Sequence, residues 1–233
     1  FKGDFIFMMK SPLTNVLLEE NFWKRGKAMK KCIITIGRQC GSGGHTIGKT
    51  VAERLGIPLY DKKLVQIVAE RSGLSAETVR REGEYSSASS LFTSVSSRGY
   101  SAYSVSQKDG MVLPDQINAY QIELIKELAD KGSCVIVGRC ADYILQERRD
   151  CFHVFIAGEL KDRAARVIEE HGISAAAARS HVKDRDRRRS SYYKHITDQV
   201  WGMAANYDLC LNSSKLGIDR CVELILAATY MDS

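Results

Sequence analysis

The segment Ile33–Gly56, IITIGRQCGSGGHTIGKTVAERLG, constrains this chain more than any other. A β-branched apolar run passes into a glycine-rich turn and then into a helical pattern. Branched side chains suit the pleated backbone of a strand. Glycines let successive backbone N–H groups converge on an anion, and a helix N-terminus adds the positive end of its dipole. Strand, glycine loop and helix start, in that order, build a cradle for phosphate. The segment therefore predicts an α/β fold that binds a nucleotide.

Two registers of the loop fit the letters. Gly43–Thr50 (GGHTIGKT) satisfies the pattern G-x-x-x-x-G-K-[ST], with Lys49 on the β/γ-phosphates and Thr50 on magnesium. That register starts well past the end of the strand. It leaves only about two turns of helix before Gly56-Ile57-Pro58, short against the usual ~11–12 residues. The other register turns at Gly41-Ser42-Gly43-Gly44 and runs the helix over His45–Leu55. Ile47, Val51, Ala52 and Leu55 then share one face, and Gly48 lets the helix approach a strand closely. This register is preferred. It puts Gly44 where the lysine belongs and leaves Lys49 on the surface. Arg38 and His45, ahead of Lys49, are the candidates to supply the missing charge. The phosphate-binding set is then Arg38, Gly41, Ser42, Gly43, Gly44, His45 and Thr46.

Strands and helices alternate along the rest of the chain. Cys32–Gly37, Pro58–Asp61, Cys134–Gly138, Phe152–Ala157 and Asp208–Asn212 read as strands. Lys62–Ser72, Ile117–Lys131, Ala141–Glu147 and Leu216–Tyr230 join His45–Leu55 as helices. Cys134–Gly138 (CVIVG) is apolar throughout, as a strand covered on both faces should be. Such alternation predicts a parallel sheet with helices on both faces, which binds ligands beyond the carboxyl ends of its strands. Gly37, Asp61 and Gly138-Arg139 all fall at such ends.

The formal net charge of +6 suits anionic ligands, and 44% hydrophobic with 27% charged residues is ordinary for a globular protein. Seven cysteines without a C-x-x-C pair read as reduced thiols, with Cys40 and Cys140 as packing residues beside the phosphate sites. No apolar run reaches the ~18 residues that span a membrane. Phe5–Met9 is too short for a signal-peptide core, so the reading is a cytoplasmic protein with no membrane partner. No histidine pair has metal-ligand spacing, and Ser/His/Asp chemistry lacks its nucleophile elbow, so no protein-held metal is expected.

Four motifs in order carry a resemblance. GSGGHT at Gly41–Thr46 aligns without a gap with the GSGKGT turn of cytidylate kinases. Leu59-Tyr60-Asp61 resembles the acidic end of their second strand, and Gly138-Arg139 the Gly-Arg pair after the third. Lys183–Arg189 (KDRDRRR) resembles their arginine-rich lid. From about Lys31 to the C-terminus the chain is thus similar to the nucleoside monophosphate kinases, and most closely to the cytidylate kinase-like family. It departs at Gly44 (lysine in the family), His45 (glycine), Val137 (often acidic) and Lys62-Lys63 (a small-residue turn).

The resemblance implies a P-loop kinase-type three-layer α/β/α fold around a five-stranded parallel sheet. Residues 30–233 would form the kinase-like domain, after an N-terminal extension at 1–29. A monophosphate-binding insertion is expected at 82–114 and a lid at 159–206. The serine-rich stretch Ser86–Ser106 within that insertion reads either as an acceptor-binding segment or as a plain flexible loop. ATP and Mg2+ are the implied cofactors, and a CMP-like molecule the first acceptor. Arg185, Arg188 and Arg189 lie at i, i+3 and i+4 of a helix, and Arg185 and Arg188 match lid arginines on the transferring phosphate. Asp184 and Asp186 are expected to hold neighbouring arginines. Arg139 matches the acceptor-phosphate ligand, Asp142 is placed to cap or orient it, and Thr46 matches a ligand of the α-phosphate. Asp61 is either an acceptor or magnesium-water ligand or a plain helix N-cap. Acids interleaved with the basic run weigh against nucleic acid as a partner. The alternative reading, motivated by Gly44 and Val137, is a nucleotide-binding module that has lost catalysis.

Overall fold

Branched apolar residues recur through the strands, and their two-residue period decides which face of the sheet each side chain meets. In the computed structural model, which describes residues 31–85 and 113–231, these runs form β1 (Ile33–Arg38), β2 (Leu59–Tyr60), β3 (Cys134–Val137), β4 (Cys151–Ala157) and β5 (Leu209–Asn212). All pairings are parallel, in the order β2-β3-β1-β4-β5. The expected N-terminal extension and most of the expected insertion lie outside the described residues.

The helices are α1 (Gly44–Leu55), α2 (Lys62–Ser72), α3 (Ala76–Tyr85), α4 (Leu113–Lys131), α5 (Ala141–Ile144), α6 (Leu160–His171), α7 (Ala175–Thr197) and α8 (Ser213–Met231). Ile33 and Ile136 pack on one face against Leu64 and Val68 of α2, Val79 of α3, and Ile117, Leu124 and Ile125 of α4. Ile34, Ile36, Val135 and Val137 pack on the other against Ile47 and Val51 of α1 and Ile225 of α8. The three layers are those expected. A Cβ added to Gly48 would lie 3.1 Å from both Ile36 Cδ1 and Val137 Cγ2, so glycine there sets the close approach of α1 to the sheet.

Some boundaries differ from expectation. The backbone leaves α5 at Leu145 (φ −107°, ψ 9°), so that helix ends before Glu147. Gly217 (φ 77°, ψ 165°) interrupts α8 and separates its first turn from the apolar stretch that follows. All seven cysteines are free thiols. Among the described residues no helix is long and apolar enough to cross a membrane.

The chain leaves β1 for β2 at one edge of the sheet, whereas β4 leads to β5 at the other. Where neighbouring connections diverge in this way, a crevice opens beyond the carboxyl ends of the strands. The glycine loop after β1 lies there.

Candidate active site

The loop after β1 turns through Gly41 (φ 71°) and Gly43 (φ 78°), left-handed conformations that glycine adopts without strain. A Cβ on Gly41 would come within 2.3 Å of the Arg163 carbonyl oxygen. The buried Ser42 hydroxyl donates to the Gln39 carbonyl at 2.9 Å and closes the turn. Helix α1 begins at Gly44, and its N-cap, Gly43, contributes no side-chain hydrogen bond. The first N–H groups of a helix have no partners within it, so this uncapped end is suited to an anion. His45 and Thr46 are exposed on that turn. Lys49 lies farther along, exposed and paired with Glu53 at 3.8 Å, and the Thr50 hydroxyl donates to the Thr46 carbonyl at 3.0 Å. From Gly44 onward the GGHTIGKT segment is therefore helix and not a loop.

A clamp between α6 and α7 holds this loop. The Asp186 carboxylate on α7 accepts the Cys40 N–H at 2.7 Å and the Arg163 guanidinium of α6 at 2.5 Å. Arg163 also donates to the Cys40 carbonyl at 3.1 Å and the Gly158 carbonyl at 2.8 Å, and Arg166 donates to the Gly41 carbonyl at 2.5 Å. Of the two acids expected to hold arginines, Asp184 pairs within its own helix with Arg187 at 2.7 Å, whereas Asp186 reaches across to α6. Burial pushes the Cys40 thiol up against the pull of nearby Arg189, which suits a packing role.

The turn after β3 is strained. Gly138 (φ 76°), Arg139 (φ 61°) and Cys140 (φ 53°) are consecutively left-handed. Non-glycine residues held so cost of order 1–3 kcal/mol each, and such strain clusters at functional sites. The turn leaves Arg139 only 7% exposed. Its Nη1 donates to Gln121 Oε1 at 2.8 Å. Gln121 in turn donates to Asn118 Oδ1 at 3.3 Å, which also accepts the Tyr192 hydroxyl at 2.8 Å. Gln121 and Asn118 were missed in the sequence, although buried amides among Ile117, Leu124 and Ile125 on the apolar face of α4 were a signal. Asp142 does not orient Arg139 as expected. Its carboxylate accepts the Tyr193 hydroxyl at 2.7 Å, and deep burial raises its carboxyl above the ordinary range.

Asp61 precedes α2 but makes no side-chain capping bond. Its carboxylate turns to the loop instead. Oδ2 lies 2.6 Å from His45 Nδ1, and Oδ1 lies 3.7 Å from Arg38 Nη2.

Of the three arginines singled out on α7, Arg189 is the one that reaches the crevice. It donates to the Arg38 carbonyl at 3.2 Å. Arg188 is exposed and does not line the recess, while Arg185 is half-buried and near enough to Cys40 and His181 to act on both electrostatically. Arg38, Arg139 and Arg189 line one recess with Gly138, Tyr193 and Trp201. Three guanidinium groups from different parts of the chain make a site for oxyanions, which the planar arginine fork binds bidentately.

The model of the cytidylate kinase-like family matches residues 33–215. The chain belongs to this family. A cytidylate kinase of Methanopyrus kandleri is 24% identical over 205 residues, covering 84% of this chain and 92% of its own. A cytidylate kinase of Pyrococcus horikoshii is 24% identical over 199 residues, covering 85% and 88%. Among solved structures, an uncharacterized protein from Eubacterium ventriosum superposes with a TM-score of 0.66 at 29% identity, over 87% of this chain and 99% of its own. A shikimate kinase from Bacteroides thetaiotaomicron shares the fold, with a TM-score of 0.51 at 14% identity, over 86% and 99%. The sheet and its helices are thus arranged as in that kinase.

Proposed function

We propose that this member of the cytidylate kinase-like family moves the γ-phosphoryl group of ATP to a small phosphorylated acceptor, with cytidylate the first to test. The observation that carries the reading is the convergence of Arg38, Arg139 and Arg189 on one recess beside the uncapped N-terminus of α1. Phosphoryl transfer asks a protein mainly to align two phosphates and neutralise their shifting charge. The first N–H groups of α1 hold the donor phosphates. Arg139, its guanidinium fixed by Gln121, holds the acceptor phosphate. An acceptor oxygen attacks the γ-phosphorus as the bond to the β–γ bridging oxygen breaks, and ADP leaves. Arg189 neutralises charge between them, with the 159–206 segment acting as the lid that excludes water.

Among the described residues no group of three His, Cys, Asp or Glu side chains is placed to hold a metal ion. Magnesium carried in on the nucleotide keeps several waters and needs only one or two carboxylates besides phosphate. Asp61, at the edge of the loop, is the carboxylate for it. When bound, magnesium neutralises charge on the β- and γ-oxygens.

The test is an ADP-release assay with ATP, magnesium and a panel of nucleoside monophosphates, run beside Arg139→Ala. The expected result is release that depends on one acceptor, with the KM for that acceptor raised at least tenfold in the variant. No acceptor-dependent release, with ATP still raising the melting temperature, would leave a nucleotide-binding module without catalysis.

A further inference from the structure

Laid on this chain from the end of β1, the pattern G-x-x-x-x-G-K-[ST] meets Arg38 at its first glycine, Gly43 at its second and Gly44 at its lysine. Two positions have exchanged character. A long cation stands where the pattern has no side chain, and no side chain stands where the pattern has its cation.

The geometry shows that the two changes belong together. A Cβ on Gly44 would lie 2.5 Å from Arg38 Cβ and 2.9 Å from its Cγ. The stem of Arg38 therefore crosses the space that any side chain at position 44 needs. Its Cβ is anchored to the backbone, so no change of rotamer removes the conflict. Farther out, a Cβ on Gly138 would lie 1.8 Å from Arg38 Nη1 and 2.8 Å from Cζ. The side chain thus runs from the first residue of α1 to the turn after β3. It is 13% exposed, and its Nη2 stands 3.7 Å from Asp61 Oδ1. His45, the other candidate for the missing charge, is more than half exposed and directed to the same carboxylate.

We propose that Arg38 is the loop cation of this protein, bound to the β/γ-phosphates of the donor in place of the lysine, and that Gly44 and Gly138 are glycine to let it lie there. The proposal rests on the phosphoryl-transfer reading above. An arginine at this place differs from a lysine in grip. Its fork binds two oxygens at once, where an ammonium is a point charge.

A reciprocal exchange in the full chain tests this: Arg38→Gly, Gly44→Lys, Arg38→Lys and the double variant R38G/G44K. Glycine is required at 38 because the Cβ alone would still block a lysine at 44. The readouts are ATP affinity by calorimetric titration, kcat/KM for the acceptor and the melting temperature. Arg38→Gly is expected to lower kcat/KM by about 10²–10³-fold, as loss of one preorganised charge donor does. Gly44→Lys should lose as much, because the two side chains cannot both fit. Arg38→Lys should fall between Arg38→Gly and the parent. The double variant should recover at least tenfold over either glycine–lysine single. If Arg38→Gly melts so low that its own loss reflects unfolding, Arg38→Lys and the double variant decide. An Arg38→Gly protein within about threefold of the parent in both affinity and turnover, or a double variant no better than the singles, overturns the proposal. A parent that binds ATP without turning it over is tested on affinity alone. A parent that neither binds nor turns over ATP sinks the functional reading and this one with it, an outcome separate from an active parent indifferent to Arg38.

Discussion

Replacing Asp186 with alanine is expected to destabilise the fold more than any change on the outer face of α7. The carboxylate is 16% exposed and its partner Arg163 8%. Removing one member of a buried ion pair leaves a charge uncompensated, at about 3–5 kcal/mol. Arg163 keeps the carbonyls of Cys40 and Gly158, which favours the lower end of that range. The Cys40 N–H loses its acceptor as well, worth about 1 kcal/mol. The total is about 4 kcal/mol, which lowers the melting temperature of a chain this long by roughly 8–16 °C. Asp184→Ala, which breaks only the exposed pair with Arg187, should stay within about 0.5 kcal/mol. Scanning calorimetry and urea unfolding of Asp186→Ala, Arg163→Ala and the double variant give a thermodynamic cycle. The clamp predicts strong coupling, with the double variant far less destabilised than the two singles together. A shift under about 3 °C for Asp186→Ala, or additive singles, would refute the clamp. With the loop released, the KM for ATP should rise more than kcat falls.

Lys49→Ala should leave kcat/KM within about twofold, since its one pairing is the exposed contact with Glu53; loss of activity would restore the GGHTIGKT register. Tyr193→Phe removes the donor to Asp142 and should cost about 1–3 kcal/mol at neutral pH. Burial raises the folded Asp142 carboxyl above its ordinary ~3.9, so its contribution to stability is complete below that value and lost as pH rises through the folded one. The variant's deficit should therefore shrink in acid, and melting curves showing a deficit independent of pH would contradict the assignment. His153 runs the other way. Burial holds its imidazole below the ordinary ~6.5, so its contribution is present above that value and lost as pH falls through the folded one. His153→Gln should reduce the drop in melting temperature between about pH 7 and pH 5, and an unchanged drop would exclude His153 as its source.

The strands were legible because their apolar residues face both layers, and α2 because its pattern runs unbroken to Gly73. Arg139 was legible because it follows an apolar strand directly. Helix α3 was not, since its only fully buried apolar side chain among those described is Val79. On α7 the spacing singled out Arg185, Arg188 and Arg189 but not which of them turns toward the recess. Arg188 and Arg189 stand about 100° apart around a helix, and only packing decides which turns inward. Asp142 follows Arg139 closely in sequence. The left-handed turn between them separates the side chains, and the tyrosine that takes Asp142 comes from α7. The Asp186 clamp joins two helices across a packing angle that no local pattern records.

That clamp has a counterpart farther along the same helix. Asp186 ties α7 to the glycine loop, while Tyr192 and Tyr193 tie it to Asn118 and Asp142 beside Arg139. The stretch between works as a ruler, marked in steps of about 1.5 Å and about 100°. It spaces the glycine loop from the turn that carries Arg139, with Arg189 as an intermediate graduation. A substitution within it alters what the cleft can grip. One inserted residue would turn every mark beyond it out of register, so this length of helix can vary in composition far more freely than in count.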